Sequence, residues 1–248
     1  MLMTVIGRDP GASYYGELAG SRVLITGLSA ACGVDVARAF ADHHGRLIID
    51  TVGATPECDA LAALLAETAS EINIFTDACA SSEAAVRFAQ TAAQTYGGLD
   101  AVINLVPITA AALKDCTSFE EVEDFVSDKL AGPLLISRVV ANRMRLLLTQ
   151  GLVLNVMTMP APANAAEAAL AGVARNALAT VTRGEADKWA PHGIRVNAIG
   201  PSATMLDDGA CLASEPDIAA LALYLASKGG RSLTGHIFDA AGIAARRC

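Results

Sequence analysis

Aromatic side chains are scarce in this chain, at 4% of 248 residues, while glycine alone contributes 21. A core short of rings is filled by small and aliphatic side chains, which suits helices lying close on a sheet. Cysteine lacks any paired pattern: Cys32, Cys58, Cys79, Cys116, Cys211 and Cys248 never form a C-x-x-C. That scatter excludes a zinc ribbon or a disulfide framework and reads as incidental thiols in a reducing cytoplasm. His43, His44, His192 and His236 show no H-x-x-x-H spacing, so no metal site is expected. Positive charge is also in deficit: 18 Lys and Arg against 26 Asp and Glu give −8. A nucleic-acid backbone needs a basic surface, so no nucleic-acid partner is expected. No apolar run reaches the ~18 residues that span a membrane, and residues 1–19 lack the apolar stretch of a secretory signal. They read as an arm before one domain over residues 20–248.

What is present is alternation. Short apolar, β-branched runs stand at Val23–Ile25, Leu47–Ile49, Ile72–Phe75, Ala101–Ile103, Leu152–Val156, Ile194–Ile199 and His236–Phe238. Between them lie helical patterns at Val34–His44, Leu61–Thr68, Glu83–Thr95, Phe119–Leu147 (one long or broken helix), Ala165–Trp189 and Ile218–Ser227. The strands are continuous apolar runs, as strands covered on both faces are. The expectation is an α/β fold of the Rossmann type: a doubly wound parallel sheet of about seven strands with helices on both faces.

The first strand runs into Thr26-Gly27-Leu28-Ser29-Ala30-Ala31-Cys32-Gly33 and then a helix. Gly27 permits a tight turn, and Gly33 lets the helix open close to the sheet. Amides at that helix start suit a pyrophosphate. Asp50, ending the second strand, is placed to accept from ribose hydroxyls and to repel a 2′-phosphate. No Lys or Arg stands between Thr26 and Gly33. Together these favour NAD over NADP.

Thr26-Gly27-x-x-x-Ala31-x-Gly33 resembles the glycine motif of the short-chain dehydrogenase/reductase family. Asp77, the run Leu99–Asn104, the segment Pro191-His192-Gly193-Ile194-Arg195-Val196-Asn197-Ala198-Ile199-Gly200-Pro201 and the closing Leu233–Asp239 are similar to further blocks of that family. The resemblance extends from about Leu18 to Gly242. It implies an oxidoreductase using NAD, held by Gly27, Ser29, Gly33, Asp50, Asp77 and Asn104, with Arg175 near the nicotinamide ribose.

The family's chemistry rests on a tyrosine acid/base, a lysine four residues on, a serine and an asparagine. On the resemblance, Ala171 falls at the tyrosine, Arg175 at the lysine, Thr158 at the serine and Lys129 at the asparagine. Alanine moves no proton, and losing a positioned acid costs about 10²–10⁴ in rate. Tyr224 and Lys228 match Tyr-x-x-x-Lys literally but lie after the sixth strand and read as packing. Pro107 stands in Asn104-Leu105-Val106-Pro107 where the family has N-N-A-G, Ser202 replaces a glycine, and the Pro201–Glu215 stretch is short for a substrate lid.

Three functional readings follow. The first is an NAD-binding but catalytically degenerate homologue, acting as a sensor or a non-catalytic subunit beside an active relative. The second is an active NAD-dependent oxidoreductase of a small alcohol or carbonyl, with Thr158, Arg175 and Lys129 as substituted catalytic groups and Glu167 as a base at the mouth. The third is a non-redox enzyme with Lys129 and Arg175 forming an anion pocket. In the family the two long helices pair between subunits, so a homodimer or homotetramer is expected, with Ala168, Ala169, Gly172, Ala174, Ala177 and Leu178 permitting close contact.

Overall fold

The computed structural model describes residues 15–109, 118–160, 162, 164–201 and 215–239. Its framework is one seven-stranded, all-parallel sheet in the order β3-β2-β1-β4-β5-β6-β7. The strands are β1 Arg22–Leu28, β2 Arg46–Thr51, β3 Glu71–Thr76, β4 Ala101–Pro107, β5 Gly151–Thr158, β6 Ile194–Gly200 and β7 Ile237–Asp239. Among the described residues six α-helices accompany them: α1 Val34–Asp42, α2 Pro56–Ala66, α3 Ser82–Thr95, α4 Phe119–Leu146, α5 Ala165–Trp189 and α6 Glu215–Ala226.

Side chains alternate across each strand, so the apolar runs feed two cores. Val23, Ile25, Leu47 and Ile49 face α1, α2 and α6. Leu24, Ile48, Val102 and Val153 face α3 and α4, while Val106 and Met157 meet the outer parts of α4 and α5. Both faces are therefore closed to water, as the unbroken runs in the sequence anticipated.

Local signals set the helix starts. Thr55 accepts from the Cys58 amide and Pro56 occupies the first helical position, where its missing N–H costs nothing. The Thr-Pro pair starts α2 at Pro56, a turn and more before the apolar periodicity begins at Leu61. Ser118 and Glu121 form a reciprocal capping box on α4. The stretch from Phe119 is a single helix, with Pro133 inside it. At the other end of the chain order, Tyr15–Leu18 are packed: Leu18 is buried, and Glu17 Oε1 accepts from the Lys228 amide. Residues 1–14 lie outside the described residues.

Strand order places the functional crevice. From β1 the chain winds outward to β2 and β3, then crosses back to β4 on β1's other side. The loops after β1 and β4 thus lead away in opposite directions, and a crevice opens at their carboxyl ends.

Candidate functional site

Two clefts open at that edge. The larger, about 590 Å³, is walled by Thr26, Gly27, Asp50, Val52, Asp77, Cys79, Pro107 and Lys129, among others. The smaller, about 180 Å³, is walled by Ala31, Cys32, Gly33, Val36, Val156, Thr158, Glu215 and Ile218. Leu105 borders both.

The glycine turn separates them. Gly27 has φ +76° and Gly33, capping α1, has φ +90°, both in the region that favours glycine. A methyl at Gly27 would overlap the Leu105 carbonyl oxygen, and one at Gly33 would overlap Leu105 Cδ1. The bare α-carbons let β4 and the turn meet. Ser29 and Cys32 close the turn on itself: each amide donates to the other's carbonyl, at 3.1 and 3.2 Å. Ser29 therefore shapes the turn and lines neither cleft.

Asp50 is 3% exposed, at the wall of the larger cleft. Its Oδ1 accepts from the Ala78 amide at 2.8 Å. Burial pushes its carboxyl above the usual range, against hydrogen bonds from the Cys79 thiol and the Ala78 and Gly27 amides. The Cys79 thiol is in turn driven far up by burial and by the Asp50 charge. Asp77, at φ +50°, accepts from the Gly53 amide at 2.9 Å and holds the loop after β2 beside it.

Asn104 ties the strands of the crevice together. Its side chain is fully buried and lines neither cleft. It accepts from Thr26 Oγ1 at 3.0 Å and donates to Ser137 Oγ at 2.9 Å and Asn155 Oδ1 at 2.8 Å. It is a latch joining β1, β4, β5 and α4 beneath the crevice.

The three candidates for substituted catalytic groups sit on three different elements. Thr158 sits in the smaller cleft, with Oγ1 3.9 Å from Cys32 Sγ. Lys129 is exposed in the larger cleft, its Nζ 5.5 Å from the Phe125 ring centre. Arg175 pairs with Asp239 at 2.8 Å and donates to the Pro201 carbonyl at 3.2 Å, at the ends of β6 and β7. Ala171 is buried. Glu167 accepts from Asn164 Nδ2 at 3.0 Å, in the exposed cap of α5. Tyr224 lies on α6 and Lys228 in the turn after it, neither bordering a cleft. Among the described residues no tyrosine lines either cleft. Ser202 and most of the Pro201–Glu215 stretch lie outside the described residues.

Two groups in the smaller cleft carried no signal in the sequence. Cys32 is buried, and burial raises its thiol. Glu215 opens α6, where an acid reads simply as a first-turn residue, yet its Oε1 is buried without a hydrogen-bond partner. Among the described residues no group of acids, histidines and cysteines forms a metal site, and no helix is long and apolar enough to cross a membrane.

Comparison with known proteins agrees with this geometry. Residues 21–208 match the short chain dehydrogenase family. Momilactone A synthase of Oryza sativa subsp. japonica is 26% identical over 247 residues, covering 89% of this chain and 88% of the relative. The mitochondrial borneol dehydrogenase of Lavandula x intermedia is 29% identical over 244 residues, covering 89% and 88%. A short chain dehydrogenase from Mycobacterium avium superposes with a TM-score of 0.71 at 23% identity, covering 92% of this chain and 85% of that one.

Proposed function

Because the chain belongs to the short-chain dehydrogenase family, whose members use NAD or NADP, we propose that it binds NAD and has lost the family's acid/base chemistry. It acts in this reading as a sensor or as a non-catalytic subunit beside an active relative. The observation that carries the reading is the make-up of the clefts: among the described residues no tyrosine borders either, and Arg175 is held by Asp239 and Pro201. The nicotinamide group supplies hydride exchange wherever it is bound. Among the described residues neither cleft has a phenol to take or give the matching proton.

The residues of the larger cleft fit the adenosine end of the cofactor. Asp50 stands at the wall to accept from ribose hydroxyls, with Asp77 behind it, and exposed Val52 gives a ring a flat apolar surface. Asp50, Asp77 and Asp128 face one cation, Lys129, a balance that disfavours an added 2′-phosphate. Free Cys32, Cys58 and Cys79 fit a reducing cytoplasm.

A second reading has one observation in its favour. Thr158 and Glu215 share the smaller cleft, so a hydroxyl and a carboxylate stand where an active oxidoreductase of a small alcohol or carbonyl would work. The name of the Lavandula relative, a borneol dehydrogenase, agrees with such chemistry. Calorimetric titration with NAD and NADP, followed by a hydride-transfer screen, separates the two. The proposal expects micromolar NAD, about −8 kcal/mol, weaker NADP, and no nicotinamide absorbance change with any alcohol or carbonyl. Turnover with one of them establishes the second reading, and absence of binding to either nucleotide ends the first.

A further inference from the structure

We infer that the site is built for one nucleotide, an adenine nucleoside or its monophosphate, and that Leu105 marks where the dinucleotide's grip stops. The inference rests on the nucleotide-binding reading above and narrows it.

Size is the first argument. At about 590 Å³ the larger cleft falls within the ~300–1,000 Å³ of ordinary ligand pockets, whereas the smaller, at about 180 Å³, falls below it. A dinucleotide has to fill both and cross the ridge between them. That ridge is an apolar side chain: Leu105 lies against the α-carbon of Gly33, and Leu28 Cδ1 comes within 3.1 Å of where a Gly33 methyl would stand. A diphosphate crossing there meets hydrocarbon where the usual glycine turn offers amides.

Donors are the second argument. A pyrophosphate is held by free N–H groups of the turn. In this turn the Ser29 and Cys32 amides donate to each other's carbonyls. Two of the turn's amides thus already have acceptors within the protein.

Charge is the third. The smaller cleft holds no lysine or arginine among the described residues, and it holds Glu215 with a buried, unpartnered oxygen. A carboxylate there repels the second phosphate of a dinucleotide. Among the described residues the one cation on either cleft wall, Lys129, is in the larger one. A single phosphate near Lys129 is served; a diphosphate running toward Glu215 is not.

Titrating the full chain calorimetrically with adenosine, AMP, ADP-ribose and NAD tests this. The expected result is AMP and NAD binding within about threefold of each other, since the nicotinamide half adds contacts with no net gain. Glu215→Gln is then expected to tighten NAD about three- to tenfold and leave AMP unchanged, as removal of one close like charge does. Leu105→Ala is expected to shift the same ratio toward NAD. NAD binding tenfold or more tighter than AMP in the unaltered protein overturns the inference while leaving the nucleotide-binding reading standing, and needs no variant to fold. Failure of adenosine, AMP and NAD alike overturns both.

Discussion

Asn104, beneath the crevice, and Gly33, on its wall, hold this site's architecture together. Asn104 has both polar atoms engaged in a dry environment, so truncating it strands Thr26, Ser137 and Asn155 at once. Such losses cost about 1–3 kcal/mol for each unsatisfied group and are not additive. Asn104→Ala is therefore expected to lower stability by about 2–4 kcal/mol in urea melts. Gly33 is constrained by backbone and space together. Gly33→Ala is expected to cost about 1–3 kcal/mol for the φ of +90° alone, with overlap on Leu105 added. The overlap is removable: in the Leu105→Ala background the same substitution is expected to cost less, with a coupling of about 1 kcal/mol in a double-mutant cycle. Strict additivity would show that the side chain at 105 does not press on the glycine.

At the scale of the elements, Asp100 ties the start of β4 to the start of β1 through Arg22. Arg22 Nε and the Arg22 amide each donate to Oδ2 at 2.9 Å, and Nη2 donates to Oδ1 at 2.6 Å. Burial alone would raise the Asp100 carboxyl; the hydrogen bonds and charge of Arg22 outweigh it and hold the group below the usual range. A carboxylate with a depressed folded-state pKa contributes stability that is present above its unfolded pKa, about 3.9. That stability is lost as pH falls through the lower folded value. Asp100→Asn is expected to lower the urea midpoint at pH 7 and to differ progressively less from the parent chain below pH 4, the pair being part-exposed and its contribution modest. A difference that does not change with pH would remove the ion pair as the cause. The elements themselves were legible because strands covered on both faces must be apolar throughout, which also blurs them. In Ala101–Pro107 both faces are apolar, so the run does not reveal that Asn104 turns inward while Leu105 turns to the glycine turn. That orientation depends on how β4 registers with β1, Thr26 opposite Asn104, a long-range fact absent from local pattern. Glu215 was illegible for a related reason, since an acid opening a helix has an exposed role by default.

For the whole molecule, the outer helices set the remaining expectation. Glu185 binds α4 and α5 into one unit: it accepts from Arg138 Nε at 2.8 Å and from Trp189 Nε1 at 2.9 Å. Its carboxyl, which burial would raise, is held low by those two donors. Of the small residues expected to meet a second subunit, Ala174 and Leu178 are instead buried in their own core, beside Val126 and Leu130. Ala169 is exposed, while Ala168, Gly172 and Ala177 are half-buried, leaving a narrower strip on the same helix. Small side chains let helices approach closely, so the proposal remains a homodimer or homotetramer through α4 and α5. Sedimentation at micromolar concentration is expected to give two or four 25.4 kDa chains. Ala169→Arg adds length and charge at the centre of that strip without disturbing the sheet, and is expected to shift the mass toward one chain while leaving the thermal transition of the fold cooperative. A single chain before the substitution would place the strip outside any self-interface. An oligomer indifferent to the arginine would move the contact to another face. Nucleotide affinity supplies an independent control, because Ala169 borders neither cleft. A dissociated chain that still binds AMP would show that the crevice between β1 and β4 is complete within one subunit.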